Sequence, residues 1–174
     1  VRVLLNNKEQ IDIEIQVTSS EYWAERTLFY LGKMFVDQLK PGEDYQKLEK
    51  CIHVGILNFT LFDDEEYYSR FHFWSDQGRK MYSDKFEIHT LELPKLAKHE
   101  YPETELLKWL QFINAESKEE FEMAAEKSKY IKKAYEDLNR ISADEEKRLE
   151  YEARERAIRD HQYFSTVYKE TGLR

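Results

Sequence analysis

In the run IDIEIQV, residues 11–17, the acids Asp12 and Glu14 and the amide of Gln16 alternate with Ile11, Ile13, Ile15 and Val17. Side chains of a strand alternate between its two faces, so the polar three share one side while the isoleucines and Val17 are expected to face a core. That polar face can carry chemistry. The same alternation also describes a half-buried strand whose polar side simply meets water. What distinguishes the two is the helix that follows, where Arg26, Tyr30 and Lys33 recur at intervals of four and three and therefore line a common face. Glu14 and Gln16 on the strand, with Arg26 and Tyr30 on the helix, form the candidate constellation. Asp12 lies on the polar face but two residues ahead of Glu14, and is left outside it.

Other chemistries find little support. The pair Gly32 and Lys33 sits mid-helix without the glycine spacing of a phosphate loop. There is no G-x-S-x-G elbow and no Ser/His/Asp grouping for nucleophilic catalysis. His53, His72, His89, His99 and His161 lack metal-ligand spacing, and His72 and His89 are expected as ordinary histidines of neighbouring strands. A single cysteine, Cys51, excludes an internal disulfide and a cysteine-cluster zinc site, and fits a reducing, cytoplasmic setting. No apolar run approaches the roughly 20 residues that span a bilayer. With 35 acidic against 27 basic residues the formal net charge is -8, which disfavours a broad basic surface but leaves room for a local basic groove.

The elements that must position these residues follow from pattern. VRVLLNNKEQ reads as the partner strand of a hairpin, with Asn6 and Asn7 suited to the left-handed turn. Thr18 and Glu21 stand at capping-box spacing and predict a helix to about Lys40, stopped by Pro41 and Gly42, with Leu28, Leu31, Phe35 and Leu39 as its apolar stripe. CIHVGILNFTLF, residues 51–62, is nearly continuous in apolar character, as in a strand covered on both sides and joined to the first by a βαβ crossover. Residues 67–75 and 85–93 predict two more strands of a mixed sheet. Beyond Pro94 the pattern becomes helical, first over 103–112, then from about Ser117 as two or three charged helices. There Ser142 and Glu145 are spaced as a capping box, and Leu149, Ala153, Ala157, Phe164 and Val167 supply a thin seam. The alternating Glu and Arg of 145–159 describe either a solvated face or a partner-binding one.

IDIEIQV, then Arg26 and Tyr30 in ERTLFYLGKMF, then QLKPGEDYQKL, CIHVGILNF, FEIHTLELPKL and the tail segment IKKAYEDLNRIS together resemble the PD-(D/E)XK nuclease family transposases. The order and spacing of the pieces carry the resemblance, which spans nearly the whole chain. It implies an α/β fold with a restriction-endonuclease-like mixed sheet flanked by helices over residues 1–114, and a charged helical tail over 115–174. It implies a Mg²⁺-dependent (or other divalent-cation-dependent) DNA endonuclease linked to recombination or mobile elements, of bacterial type and cytoplasmic. Glu14 matches the Glu of the family's E-x-K triplet and is expected as a metal ligand, with the Ile15 backbone carbonyl as a second oxygen. Gln16 stands where lysine is usual; an amide can orient water but brings no positive charge. The family's aspartate, and its N-terminal helix, are expected upstream of Val1, so the catalytic competence of this stretch by itself stays open. Arg26 is expected either to meet the scissile phosphate bidentately or to form an ion pair that fixes helix to sheet. Tyr30, Gln38 and Tyr45 also match family positions, where packing is their expected role. Two alternatives stand: a catalytically degenerate module for DNA binding or protein interaction, and a tail-driven homodimer in which two sites cut both strands.

Overall fold

The computed structural model describes residues 1–6, 8–143 and 147–154. The chain divides into two compact units, Val1–Pro102 and Glu103 onward. The first unit is a five-stranded mixed sheet. Strands β1 (Arg2–Leu5) and β2 (Glu9–Gln16) form an antiparallel hairpin, and Asn6 takes the left-handed conformation with φ 50°. Helix α1 (Trp23–Val36) leads to β3 (Cys51–Leu57), which runs parallel to β2. Strand β5 (Met81–Glu92) lies on the other side of β3, also parallel, and β4 (Tyr68–Trp74) closes the far edge antiparallel to β5. The spatial order is β1-β2-β3-β5-β4. This is the expected α/β, restriction-endonuclease-like architecture, with β3 central and parallel to both neighbours as its unbroken apolar run requires.

Two local expectations fail. The Thr18/Glu21 capping box does not form: α1 begins at Trp23, its N-cap Tyr22 contributes no side-chain cap, and the helix ends at Val36 rather than Lys40. Its buried stripe is Trp23, Thr27, Leu31 and Met34, spaced four, four and three, while Leu28 is half exposed. The second failure concerns which side of β2 is covered. Leu31 and Met34 pack with Cys51, Phe35, Phe86 and Ile88. Cys51, Phe86 and Ile88 share the sheet face of Asp12 and Glu14, because register pairs Asp12 with His53 and His53 with Ile88. The crossover helix therefore lies on the carboxylate face. Ile15 and Val17, expected in a core, are 59% and 65% exposed, and Ile11 and Ile13 are half-buried. Alternation separates the two faces of a strand but does not say which one the helix covers.

Close packing of α1 on β3 depends on Gly55, where an added Cβ would lie 2.6 Å from Cζ2 of Trp23. At the C-terminal end of β5, buried Lys95 bonds Asp64 at 2.7 Å, Glu92 at 3.0 Å and the Glu66 carbonyl at 3.0 Å. Glu92 in turn accepts the Leu61 N–H at 2.6 Å, so the acidic loop 63–66 is tied to the sheet end.

The second unit contains α2 (Glu105–Ile113), α3 (Lys118–Glu126) and α4 (Lys129–Ala143). Thr104 caps α2 by accepting the Leu107 N–H, and Ser117 with Glu120 forms a capping box on α3. Phe112, Ala124 and Ile131 are its core, with Trp109, Phe121, Ala134 and Tyr135 around them. Helix α2 thus belongs with the helices after it, whereas the sequence reading set the boundary at Asn114; Phe112 is buried against α3 and α4. Ser142 lies in the last turn of α4, while Glu145, Ala157, Phe164 and Val167 lie outside the described residues, so the second capping box and most of the seam cannot be compared.

Candidate metal and phosphate site

Asp12 and Glu14 emerge from β2 on the sheet face that α1 covers by packing on β3. Each is about a fifth exposed, with side-chain values of 21% and 20%. A guanidinium nitrogen of Arg26 forms a close ion pair with Glu14. The same guanidinium lies 5.9 Å above the Tyr30 ring, which supports it from the helix side. Val1, Arg2, Asp12, Glu14, Arg26 and Tyr30 line an open cleft of about 340 Å³. Glu14, Arg26 and Tyr30 of the expected constellation are therefore brought together, and Tyr30 lines the cleft rather than packing in a core.

Gln16 is on the same face but its amide nitrogen donates to the Thr18 carbonyl at 2.9 Å, holding the turn out of β2. The Ile15 carbonyl is placed by the ladder. Val1 and Ile13 exchange both backbone hydrogen bonds, at 2.6 and 2.8 Å, while Gln10 and Gln16 bond toward β3. Odd-numbered residues of β2 thus direct their backbone groups to the β1 side, and the Ile15 carbonyl points there, beyond the Val1–Ile13 pair. Gln38, a further motif position, is a staple: it accepts from the Glu49 N–H at 2.8 Å and donates to the Glu49 carbonyl at 3.1 Å. Tyr45 is exposed.

The residue that sequence reasoning missed is His53. Parallel pairing sets it beside Asp12, and one donor atom each from Asp12, Glu14 and His53 lie within 4.8 Å of one another. His53 is fully buried, edge-on to Trp23 at 5.8 Å between ring centroids. Its Nδ1 is 3.4 Å from Asp12 Oδ2, and neither ring nitrogen completes a hydrogen bond. Burial holds its pKa below the usual histidine value against the pull of Asp12 and Glu14, so the ring is neutral and each nitrogen lone pair or N–H lacks a satisfied partner. The signal was present in the sequence: His53 is the one strongly polar side chain in an otherwise apolar strand. Two carboxylates, an imidazole and backbone oxygens are the donor types that divalent cations take, and the orphaned buried nitrogen makes these residues a good fit for one.

Cys51 offers no alternative chemistry, since burial pushes its thiol up to about 11. His72 and His89 both approach Glu87 on the opposite face, at 3.2 and 2.6 Å, as sheet histidines of a closed charge network.

Among the described residues no helix is long and apolar enough to cross a membrane. Searches of curated proteins and of solved structures return no match. The sequence profile of the PD-(D/E)XK nuclease family transposases matches residues 1–167. That family supports a nuclease-type function, generally served by divalent metals and directed at DNA. That match covers nearly the whole chain and agrees with the mixed sheet: the chain belongs to the PD-(D/E)XK nuclease family transposases.

Proposed function

We propose that this protein is a metal-dependent DNA endonuclease acting in recombination or in mobile-element movement, with Glu14 as its metal-holding carboxylate. The observation that carries this reading is the grouping of Glu14 with Asp12 and Arg26 in one open cleft of a chain that belongs to this nuclease family. A bound divalent cation would supply a hydroxide-like nucleophile and offset charge at the phosphorus. Mg²⁺ is the cation the family resemblance favours, held by Glu14 and the Ile15 carbonyl.

Arg26 reconciles its two roles. While it pairs with Glu14 it prevents two neighbouring carboxylates from standing uncompensated. With Glu14 holding a cation, the Arg26 guanidinium would be available to bond a DNA phosphate through two parallel N–H donors. The Tyr30 ring beneath it supports it at the cleft.

The degenerate-module reading is favoured by one observation, the engagement of the Gln16 amide with Thr18 instead of the cleft. Nicking of supercoiled plasmid by the full-length gene product separates the two. The enzyme reading expects Mg²⁺-dependent nicking that falls at least about 100-fold in Glu14→Gln, the upper end of what loss of even an outer metal partner costs. Intact plasmid with a well-folded wild type would establish the binding module instead. A homodimer, tested by sedimentation, would convert nicks to double-strand breaks.

A further inference from the structure

We propose that Asp12 and His53 join Glu14 as ligands, giving this cleft a nitrogen-containing set that takes a first-row transition cation such as Mn²⁺ in preference to Mg²⁺. The inference rests on the reading of Glu14 as a metal-holding carboxylate and adds which residues complete the set and which class of ion they select.

The first ground is an unpaid hydrogen bond. His53 is 0% exposed, yet Nδ1 and Nε2 both lack a hydrogen-bond partner. Buried polar atoms in folded proteins are almost always satisfied, and one left open beside two carboxylates signals a missing partner. Trp23 closes the ring's other side by edge-on contact and fixes its plane, so the imidazole cannot turn toward solvent. The Asp12 side of the ring is where a partner fits.

The second ground is distance. Two donors that each sit 2.0–2.2 Å from one ion are roughly 3–3.5 Å apart when adjacent in its coordination shell. His53 Nδ1 and Asp12 Oδ2 are 3.4 Å apart. The full set spans no more than 4.8 Å, against about 4.2 Å for donors on opposite sides of an ion, so a slight contraction brings all three into range. The spacing is also poor for a direct hydrogen bond, which accounts for the orphaned nitrogen.

The third ground is donor chemistry. Mg²⁺ prefers oxygen ligands in near-ideal octahedral geometry and retains its waters. Imidazole adds affinity for first-row transition ions, in the rising order from Mn²⁺ toward Cu²⁺. A neutral, desolvated imidazole fixed by an aromatic ring is prepared for that role. An accidental packing histidine would instead be expected to bond a backbone carbonyl.

The test loads the wild-type chain with Mn²⁺ and records electron spin echo envelope modulation from nitrogen. The expected result is a directly coordinated imidazole nitrogen, with Mn²⁺ bound about tenfold or more tighter than Mg²⁺ in competition. His53→Ala should abolish the nitrogen signal and weaken Mn²⁺ binding by about 10–100-fold while changing Mg²⁺ binding by less than about threefold. If His53→Ala does not fold, the partly exposed Asp12→Asn serves in its place: Mn²⁺ binding weakens while the nitrogen signal persists. Bound Mn²⁺ without nitrogen coupling, or equal affinity for the two ions, overturns the inference and leaves the Glu14 reading standing. Mn²⁺ binding that is unchanged in Glu14→Gln overturns the Glu14 reading as well.

Discussion

Two clusters of acid and base lie on opposite faces of the same sheet and differ in how many charged partners meet their acids. On one face, Glu87 of β5 is 2% exposed and is met by Lys50, by Arg70 at 2.6 Å, by His72 at 3.2 Å and by His89 at 2.6 Å. His89 is held in one tautomer, its Nε2–H donating to Glu87 and its Nδ1 accepting from the Tyr68 hydroxyl at 2.9 Å. On the other face, Glu14 pairs with Arg26, Asp12 lies 3.4 Å from the His53 ring, and His53 completes no hydrogen bond. Charge on the Glu87 side is spent internally; charge on the Glu14 side is left for something that arrives. A carboxylate ringed by charged partners holds a fold together, and a sparsely paired cluster beside an open cleft is where a ligand belongs.

The sharpest break in that comparison is to neutralise each acid in turn. Glu87→Gln should destabilise the protein by about 3 kcal/mol in chemical denaturation, because it strands basic partners around a buried site; the figure is at the lower end of the usual cost since Arg70 is half exposed. Glu14→Gln should change stability by no more than about 1 kcal/mol, as its pair with Arg26 is solvent-screened. Equal losses for the two variants would mean that both clusters are structural.

A smaller effect probes the wall behind the cleft. Gly55→Ala brings a methyl group against the Trp23 ring, which also packs on His53. The expected cost is about 1–3 kcal/mol. Altered Trp23 fluorescence and weakened ion binding should accompany it, and an unperturbed fluorescence spectrum would show that the ring is not seated on Gly55.

The mildest probe is pH, and His53 and Glu87 should respond in separate windows. Burial lowers the His53 pKa in the folded state, so its contribution to stability is complete above the unfolded value near 6.5 and is lost as pH falls through the folded value. Glu87 is buried, which alone would raise its pKa, but Arg70, Lys50 and His89 hold it well below 4.5; its contribution is complete above 4.5 and fades only at lower pH. Denaturation midpoints measured across pH should therefore decline in two stages; burial lowers His89 in the same upper window, so replacing His53 with Gln should shrink the upper stage and leave the lower one unchanged. An upper stage undiminished in His53→Gln would mean His53 is not held neutral by the fold.

How much of this was readable beforehand depended on range. Strand β3 and its parallel neighbours were legible in CIHVGIL, and the left-handed Asn6 in its dipeptide, because local composition dictates both. Glu14 and Arg26 were legible through motif spacing. His53 stood out as the one polar side chain of its strand, but its grouping with Asp12 was not legible, since the two are 41 positions apart and only the β2–β3 register unites them. The same gap hid the covered face of β2, which the path of α1 decides. Thr18 and Glu21 misled because their spacing satisfies a capping rule while the turn after β2 is held by Gln16.

The claim that the Glu14 face is built to receive a divalent ion is tested most directly by counting free Mn²⁺ by EPR during titration of the wild-type chain and of Glu14→Gln. The account predicts saturable loss of the free-ion signal with wild type and little or none with Glu14→Gln, both proteins remaining folded. Titrations that superimpose, or a wild type that takes up no ion, would contradict it.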